Sequence, residues 1–195
     1  LLLEAAEVCA GIGSVYLRPM WDATVSDHAM LTIVHGDHAV PEFRWGQLTA
    51  VTFWREMKVA ESQGKDIWRH LERHEPGKIL HGLFVSGDEG KLGAPLPLTA
   101  HDETAPLAMV VDAGDGSTIT TGAKGLTAEY IPNMRPHRVL RGSALGRSDF
   151  SGVEPLFDGL DEAWTSWMRD LRIGKGRIIV LNDGNRISVK KTDNG

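Results

Sequence analysis

Residues 139–180 read VLRGSALGRSDFSG, then VEPLFDGLDEAWTSWMRDLR, then IGK and GRIIV: a Gly/Ser/Arg loop, a long helix and a short strand. Val153, Leu156, Phe157, Leu160, Trp164, Trp167, Met168 and Leu171 recur at spacings of three and four, which predicts one apolar helical face, expected to be buried. Ser151 with Glu154 has the spacing of a capping box, and Pro155 falls in the first turn, where proline is tolerated. Asp158, Asp161 and Glu162 lie in the first half and Arg169, Arg172 and Lys175 near the end, as the helix dipole favours; Gly174 is the expected stop. At about 1.5 Å per residue such a helix is on the order of 30 Å long. It is expected to organise the fold, so that Trp164→Ala or Trp167→Ala costs roughly 3–5 kcal/mol. Changes at Thr165 or Asp161 should cost about 0.5 kcal/mol or less.

Working outward, residues 1–13, LLLEAAEVCAGIG, predict an N-terminal helix ending in the turn Gly11-Ile12-Gly13-Ser14. The order helix before strand argues against a dinucleotide-binding fingerprint there. Strands are expected at 14–21, 31–34, 43–45, 48–57, 67–75, 79–85, 108–112, 119–121 and 126–131. Gly46-Gln47 and Pro76-Gly77 are the expected hairpin connections, with 87–98 a loop and 112–117 a further turn. These elements make an α+β fold: antiparallel β-hairpins with an N-terminal helix and one long amphipathic helix packed on or beside the sheet.

Composition narrows the function. The chain has 195 residues, 42% of them hydrophobic, and a formal net charge of −5, which gives no basic stripe for holding nucleic acid. A single cysteine, Cys9, excludes an intrachain disulfide and a thiolate-rich zinc site, and an intracellular setting is expected. No apolar run approaches the roughly 18–20 residues of a membrane span, so no membrane partner is expected. The chain opens inside a helical pattern and stops abruptly at KKTDNG, and it is expected to be a fragment.

Chemical motifs are sparse. His70 and His74 are four apart in WRHLERHE, but Leu71 stands where the zinc-protease pattern needs Glu, and the segment reads as strand. There His70, Glu72 and His74 share a face with Trp68, which predicts a solvent-facing polar row. His28, His35, His38, His81, His101 and His137 form no ligand spacing. The run at 112–117 lacks the distal Glu of a calcium loop. No nucleophile elbow or phosphate loop is present. The expectation is a protein without catalytic residues, cofactor or stoichiometric metal.

The segment GSALGRSDFSGVEPLFDGLDEAWTSWMRDLRIGKGRIIV resembles the portal proteins of tailed double-stranded DNA bacteriophages, in the siphophage form found among phages of actinobacteria. The resemblance is specific over 127–180 and continues through AAEVCAGIGSVYLRPMWD, HGDHAVPEFRWGQLTAVTFWRE, IWRHLERHEPGKILHGLF and KLGAPLPLT, with 105–126 and 181–195 matching poorly. It implies that residues 1–180 are a portal wing-like region, with stem, clip and crown outside the chain and an uncertain tail at 181–195. It implies a structural, non-enzymatic subunit of a dodecameric ring at the capsid vertex of the virion, assembled in the host cytoplasm. That ring would form the channel for genome packaging and ejection. Its partners would be further copies of itself, the terminase large subunit, capsid and scaffolding proteins, the head-tail connector and, transiently, double-stranded DNA. The structural motif under this resemblance is Arg141, Gly142, Ser143, Gly146, Arg147, Ser148 and Asp149 with Trp164, Trp167 and Arg169. Gly142 and Gly146 would permit tight backbone, and Arg147 and Asp149 would be available for pairing within or between subunits. Without stem, clip and crown, the chain alone is expected to be monomeric or weakly associating. The competing readings are a metal-dependent hydrolase using His70 and His74 with Glu72 or Glu75, and a generic β-rich protein-binding module.

Overall fold

A computed structural model describes residues 1–21, 25–58, 66–112 and 114–175. The expected strand at 176–180 and the tail at 181–195 lie outside the described residues. The chain divides into two units, Leu1–Asp149 and a second beginning at Phe150. The fold is α+β with antiparallel sheets, as the periodicities predict.

In the first unit, helix α1 (Leu2–Ile12) ends at Gly13, whose φ of 99° is the left-handed conformation that a C-terminal glycine supplies without strain. Strands β1 (Ser14–Met20), β2 (Met30–His35) and β9 (Glu129–Pro132) form a three-stranded sheet in the order β2-β1-β9. The larger sheet runs β3 (Ala39–Arg44), β4 (Gln47–Met57), β5 (Ile67–Glu75), β6 (Lys78–Ser86) and β7 (Ala94–Leu96), with β8 (Thr118–Thr120) also paired to β6. Pro76-Gly77 joins β5 to β6, and Gly77 adopts the positive φ of 81° expected of it.

Three expectations are corrected here. The β3–β4 turn is Trp45-Gly46 rather than Gly46-Gln47, because Trp45 itself takes a positive φ of 54° beside Gly46 at 74°. Positive φ at both central residues gives the hairpin its right-handed twist. Residues 105–109 form a 3-10 turn instead of part of a strand, while β7 falls within the expected loop at 87–98.

Pleating sends alternate residues of β1 to opposite sides. Val15 and Leu17 meet Ala5, Val8 and Cys9 of α1, and Ile33 joins them. Tyr16 faces the larger sheet, where Val51, Phe53, Ala128 and Tyr130 close a second cluster. The Tyr16 ring lies 5.5 Å from Phe53, edge-on, and 5.0 Å from Tyr130. The first unit is thus layered as helix, small sheet and large sheet. Farther along the large sheet, Met57, Leu83 and Leu98 form a third cluster, with Trp68, Leu96, Leu107, Ala108 and Val111 packed on it.

In the second unit, α2 spans Glu154–Gly174. The helix exists as predicted, but its capping differs. Val153 is the N-cap without a side-chain bond, and Glu154 accepts instead from the backbone N–H of Gly152 at 2.6 Å. Its apolar stripe is not buried: Leu156 is 72% exposed, Leu160 62%, Trp164 56% and Trp167 55%. Within the unit Phe150 packs edge-on against Phe157, and Trp164 against Trp167 at 5.4 Å between centroids. The buried clusters of the first unit are built on α1, β1, β4 and β6, and within its own unit the stripe of α2 has no buried residue. In this chain Trp164→Ala and Trp167→Ala are each expected to cost about 1 kcal/mol or less, the scale of an exposed aromatic pair. Urea denaturation followed by far-UV circular dichroism checks this, and a loss near 3 kcal/mol would restore the buried assignment.

Candidate functional site

On β5, the period of two places Trp68, His70, Glu72 and His74 on one face. Register aligns them with Met57, Arg55, Phe53 and Val51 of β4, and with Val85, Leu83, His81 and Ile79 of β6. Tyr16 and Arg18 of β1 lie over one end of this face and the 98–111 segment over the other. The polar row is consequently enclosed: His74 is fully buried, His70 is 5% exposed and His81 8%. This corrects the expectation of a solvent-facing row.

Buried polar groups require partners, and these side chains supply one another. His74 Nε2 lies 2.7 Å from Glu72 Oε1 and His74 Nδ1 2.6 Å from the Thr127 hydroxyl. A neutral imidazole satisfies both by donating from Nε2 and accepting the Thr127 proton at Nδ1. The other Glu72 oxygen pairs with Arg18 of the small sheet, whose guanidinium also lies over the Phe53 ring at 5.4 Å. Burial alone would raise the Glu72 pKa, but the His74 hydrogen bond and the Arg18 charge outweigh it and hold the carboxyl at about 2.

Beside this chain a second one runs across the strands. Arg55 Nε donates to His70 Nδ1 at 3.5 Å, leaving His70 Nε2 to donate to His81 Nδ1 at 3.2 Å, with the two rings parallel within 3°. Burial, followed by the neighbouring His81 and Arg55, pushes the His70 pKa down to about 4. Burial lowers that of His81 as well. Both rings are therefore neutral at pH 7.

A cleft of about 660 Å³ opens beside this network, lined by Arg18, Phe53, Trp54, Arg55, His70 and Glu72 and, at the end of β2, by His35 and His38. It exists because β3 begins at Ala39 opposite Phe53, leaving the edge of β4 from Trp54 onward without a strand among the described residues. The turn Gly36–His38 occupies that corner, with the His38 ring edge-on to Trp54 at 5.1 Å.

His70 and His74, the histidines of the hydrolase reading, each engage in a hydrogen-bonded chain, His70 with Arg55 and His81 and His74 with Glu72 and Thr127. Among the described residues, the group of three ligand-type side chains whose donor atoms all lie within 4.8 Å of one another is His35, Asp37 and His38. Sequence spacing hid this set, because the 3-10 turn between two strands brings together residues that a helix or strand would separate. The signal was His-x-Asp-His at a Gly-containing strand end.

The loop singled out by the resemblance is placed as follows. Gly146 sits where a Cβ would strike the backbone of Gly13 and Asn133, and its N–H donates to the Tyr130 hydroxyl at 2.8 Å. Gly13 likewise abuts the backbone at Arg147 and Ser148. Asn133 ties the segment down, its Nδ2 donating to Arg147 O at 2.9 Å and to Asp149 Oδ1 at 2.7 Å, while Asp149 N donates to Ala10 O at 2.9 Å. Arg147 and Asp149 form no ion pair with each other among the described residues; the Arg147 guanidinium turns to Met134 Sδ at 3.4 Å. Gly142, with φ 84°, turns in open space, and Ser143 Oγ accepts from Leu145 N at 3.1 Å. Arg141 is exposed on the same turn. Trp164, Trp167 and Arg169 lie on α2, where Arg169 approaches Asp170 at 3.9 Å. The structure thus gathers Gly146, Arg147, Ser148 and Asp149 against the α1–β1 junction and leaves Arg141–Ser143 at a surface turn. Among the described residues no helix is long and apolar enough to cross a membrane.

No protein-family model matches this chain, and no curated protein matches it either.

Proposed function

We propose that the chain is part of a structural subunit of a phage portal ring, without catalytic activity of its own, in a virion whose genome passes through that ring. The reading starts from the resemblance over residues 127–180, and the observation that carries it is the apolar stripe of α2. A helix of 21 residues with Leu156, Leu160, Trp164 and Trp167 more than half exposed presents a surface of the kind that association covers. The state of the polar cleft is compatible with a structural role: His70, Glu72, His74 and His81 are committed to one another and to Arg18, Arg55 and Thr127. Ring partners, terminase, capsid and scaffolding proteins, and the head-tail connector follow from the same reading.

The test is the oligomeric state of the protein expressed from the complete reading frame that contains this chain. Negative-stain microscopy and mass photometry should find closed rings of identical subunits, since repeated heterologous contacts close at one rotation. The 195-residue chain alone should remain monomeric or weakly associating. A monodisperse monomer from the complete frame would overturn the portal reading.

A further inference from the structure

We propose that His35, Asp37 and His38 bind one divalent transition-metal ion, of the zinc type, at the mouth of the cleft between the sheets. This goes beyond the portal reading, does not depend on it, and departs from the expectation, drawn from spacing, that the chain holds no stoichiometric metal.

The donor atoms of the three side chains already lie within 4.8 Å of one another. Zinc bonds of roughly 2.0–2.2 Å to nitrogen and oxygen place tetrahedral ligands about 3.3 Å apart. The remaining closure is a side-chain rotation at exposed positions. The backbone beneath them is fixed. His35 ends β2 in register with Val15, and Ala39 starts β3 opposite Phe53. Between them Gly36 lies so close to β1 that a Cβ would come within 2.5 Å of Ser14 Oγ. A side chain there would require the Ser14 hydroxyl to turn aside, and it would press on Ser14 O at 3.2 Å. His38 is further oriented by Trp54 and by Asp37, whose Oδ1 is 3.4 Å from His38 Nδ1.

Two imidazoles with one carboxylate suit zinc, nickel, cobalt or copper and are a poor set for calcium or magnesium, which take oxygen ligands. Three protein ligands leave a coordination position for water or another small donor. His35 and His38 both border the cleft that also holds Arg18 and Arg55, so an anionic group in the cleft would lie within the reach of the ion and the guanidinium side chains together.

Isothermal titration of untagged chain with ZnCl2 at pH 7.5 is expected to give one ion per chain. His35→Ala and His38→Ala should each weaken binding by at least the roughly 10- to 100-fold that loss of even an outer-shell partner costs. His28→Ala, at an exposed histidine paired to Asp27 elsewhere on the surface, should leave the isotherm unchanged. Magnesium should give no heat above dilution. Because the ligands are exposed, the variants should keep the parent's circular dichroism. Absence of binding to the parent chain would overturn the site, as would one-to-one binding undiminished in both His35→Ala and His38→Ala. Either failure would leave the ring-forming test untouched.

Discussion

Glu72→Ala is expected to destabilise the chain by about 3–5 kcal/mol, the cost of removing one partner of a buried ion pair. The carboxylate holds two sheets together: it accepts from His74 beside it on β5 and pairs with Arg18 on β1. Its side chain is 15% exposed and that of Arg18 17%. Removing it strands the Arg18 charge between the sheets and leaves His74 Nε2, in a fully buried ring, without its acceptor. The comparison variant is Lys91→Ala, which breaks the exposed Lys91–Asp88 pair at 3.2 Å and should cost about 1 kcal/mol or less. The double variant Arg18→Met with Glu72→Leu should be less destabilised than Glu72→Ala alone, because it removes both charges and fills the space. Urea denaturation of the four proteins decides between these outcomes. Against a total stability of roughly 5–15 kcal/mol, the single change should move the midpoint severely. Equal effects of Glu72→Ala and Lys91→Ala would mean that the polar row does not clamp the sheets.

That clamp was invisible in the sequence, and the reason is physical. The period-two pattern of β5 assigns Trp68, His70, Glu72 and His74 to one face, and the structure agrees. Which face meets solvent is decided by the partner, and Arg18 comes from a strand 54 positions away. Polar residues on a strand read as outward-facing unless something supplies hydrogen bonds inside, and Thr127, Arg18 and Arg55 do so here. The helices, the hairpin at Pro76-Gly77 and the glycine end of α1 were legible because each rests on local geometry: periodicity, a preset proline φ, a left-handed glycine. The Trp45-Gly46 turn was misplaced by one position because a tryptophan in the left-handed region is rare and composition does not announce it. The stripe on α2 was legible as a stripe, while its cover was not, since amphipathicity states that a face is apolar and not what covers it. His35, Asp37 and His38 converge through a turn whose shape depends on Gly36 resting against Ser14, a contact between segments that spacing along the chain does not encode.

The second large effect is a loss of stability in mild acid. His70 titrates at about 4 in the folded chain, against the ordinary histidine value of 6.5. As pH falls through 6.5 the unfolded chain takes up the proton first, so folding weakens steadily from there to about 4, and the contribution is fully present only above 6.5. A difference of this size corresponds to on the order of 3 kcal/mol. His81, with its pKa also lowered by burial, acts in the same direction. The charges facing this pair reinforce the trend: Arg55 and Arg18 oppose protonation of His70, and only Glu72 favours it. Glu72 then adds its own loss below the ordinary carboxylate value of 4.5, as pH falls toward its folded value of about 2. The urea midpoint should therefore drop between pH 7 and pH 5, and again below pH 4.5. His70→Gln keeps an acceptor for Arg55 and a donor for His81 but cannot take up a proton in this range, so it should flatten the first decline and leave the second. A parent midpoint that is flat from pH 7 to pH 5 would show that the stacked pair is not buried as neutral rings. A His70→Gln variant with the parent's slope would place the titration on another group.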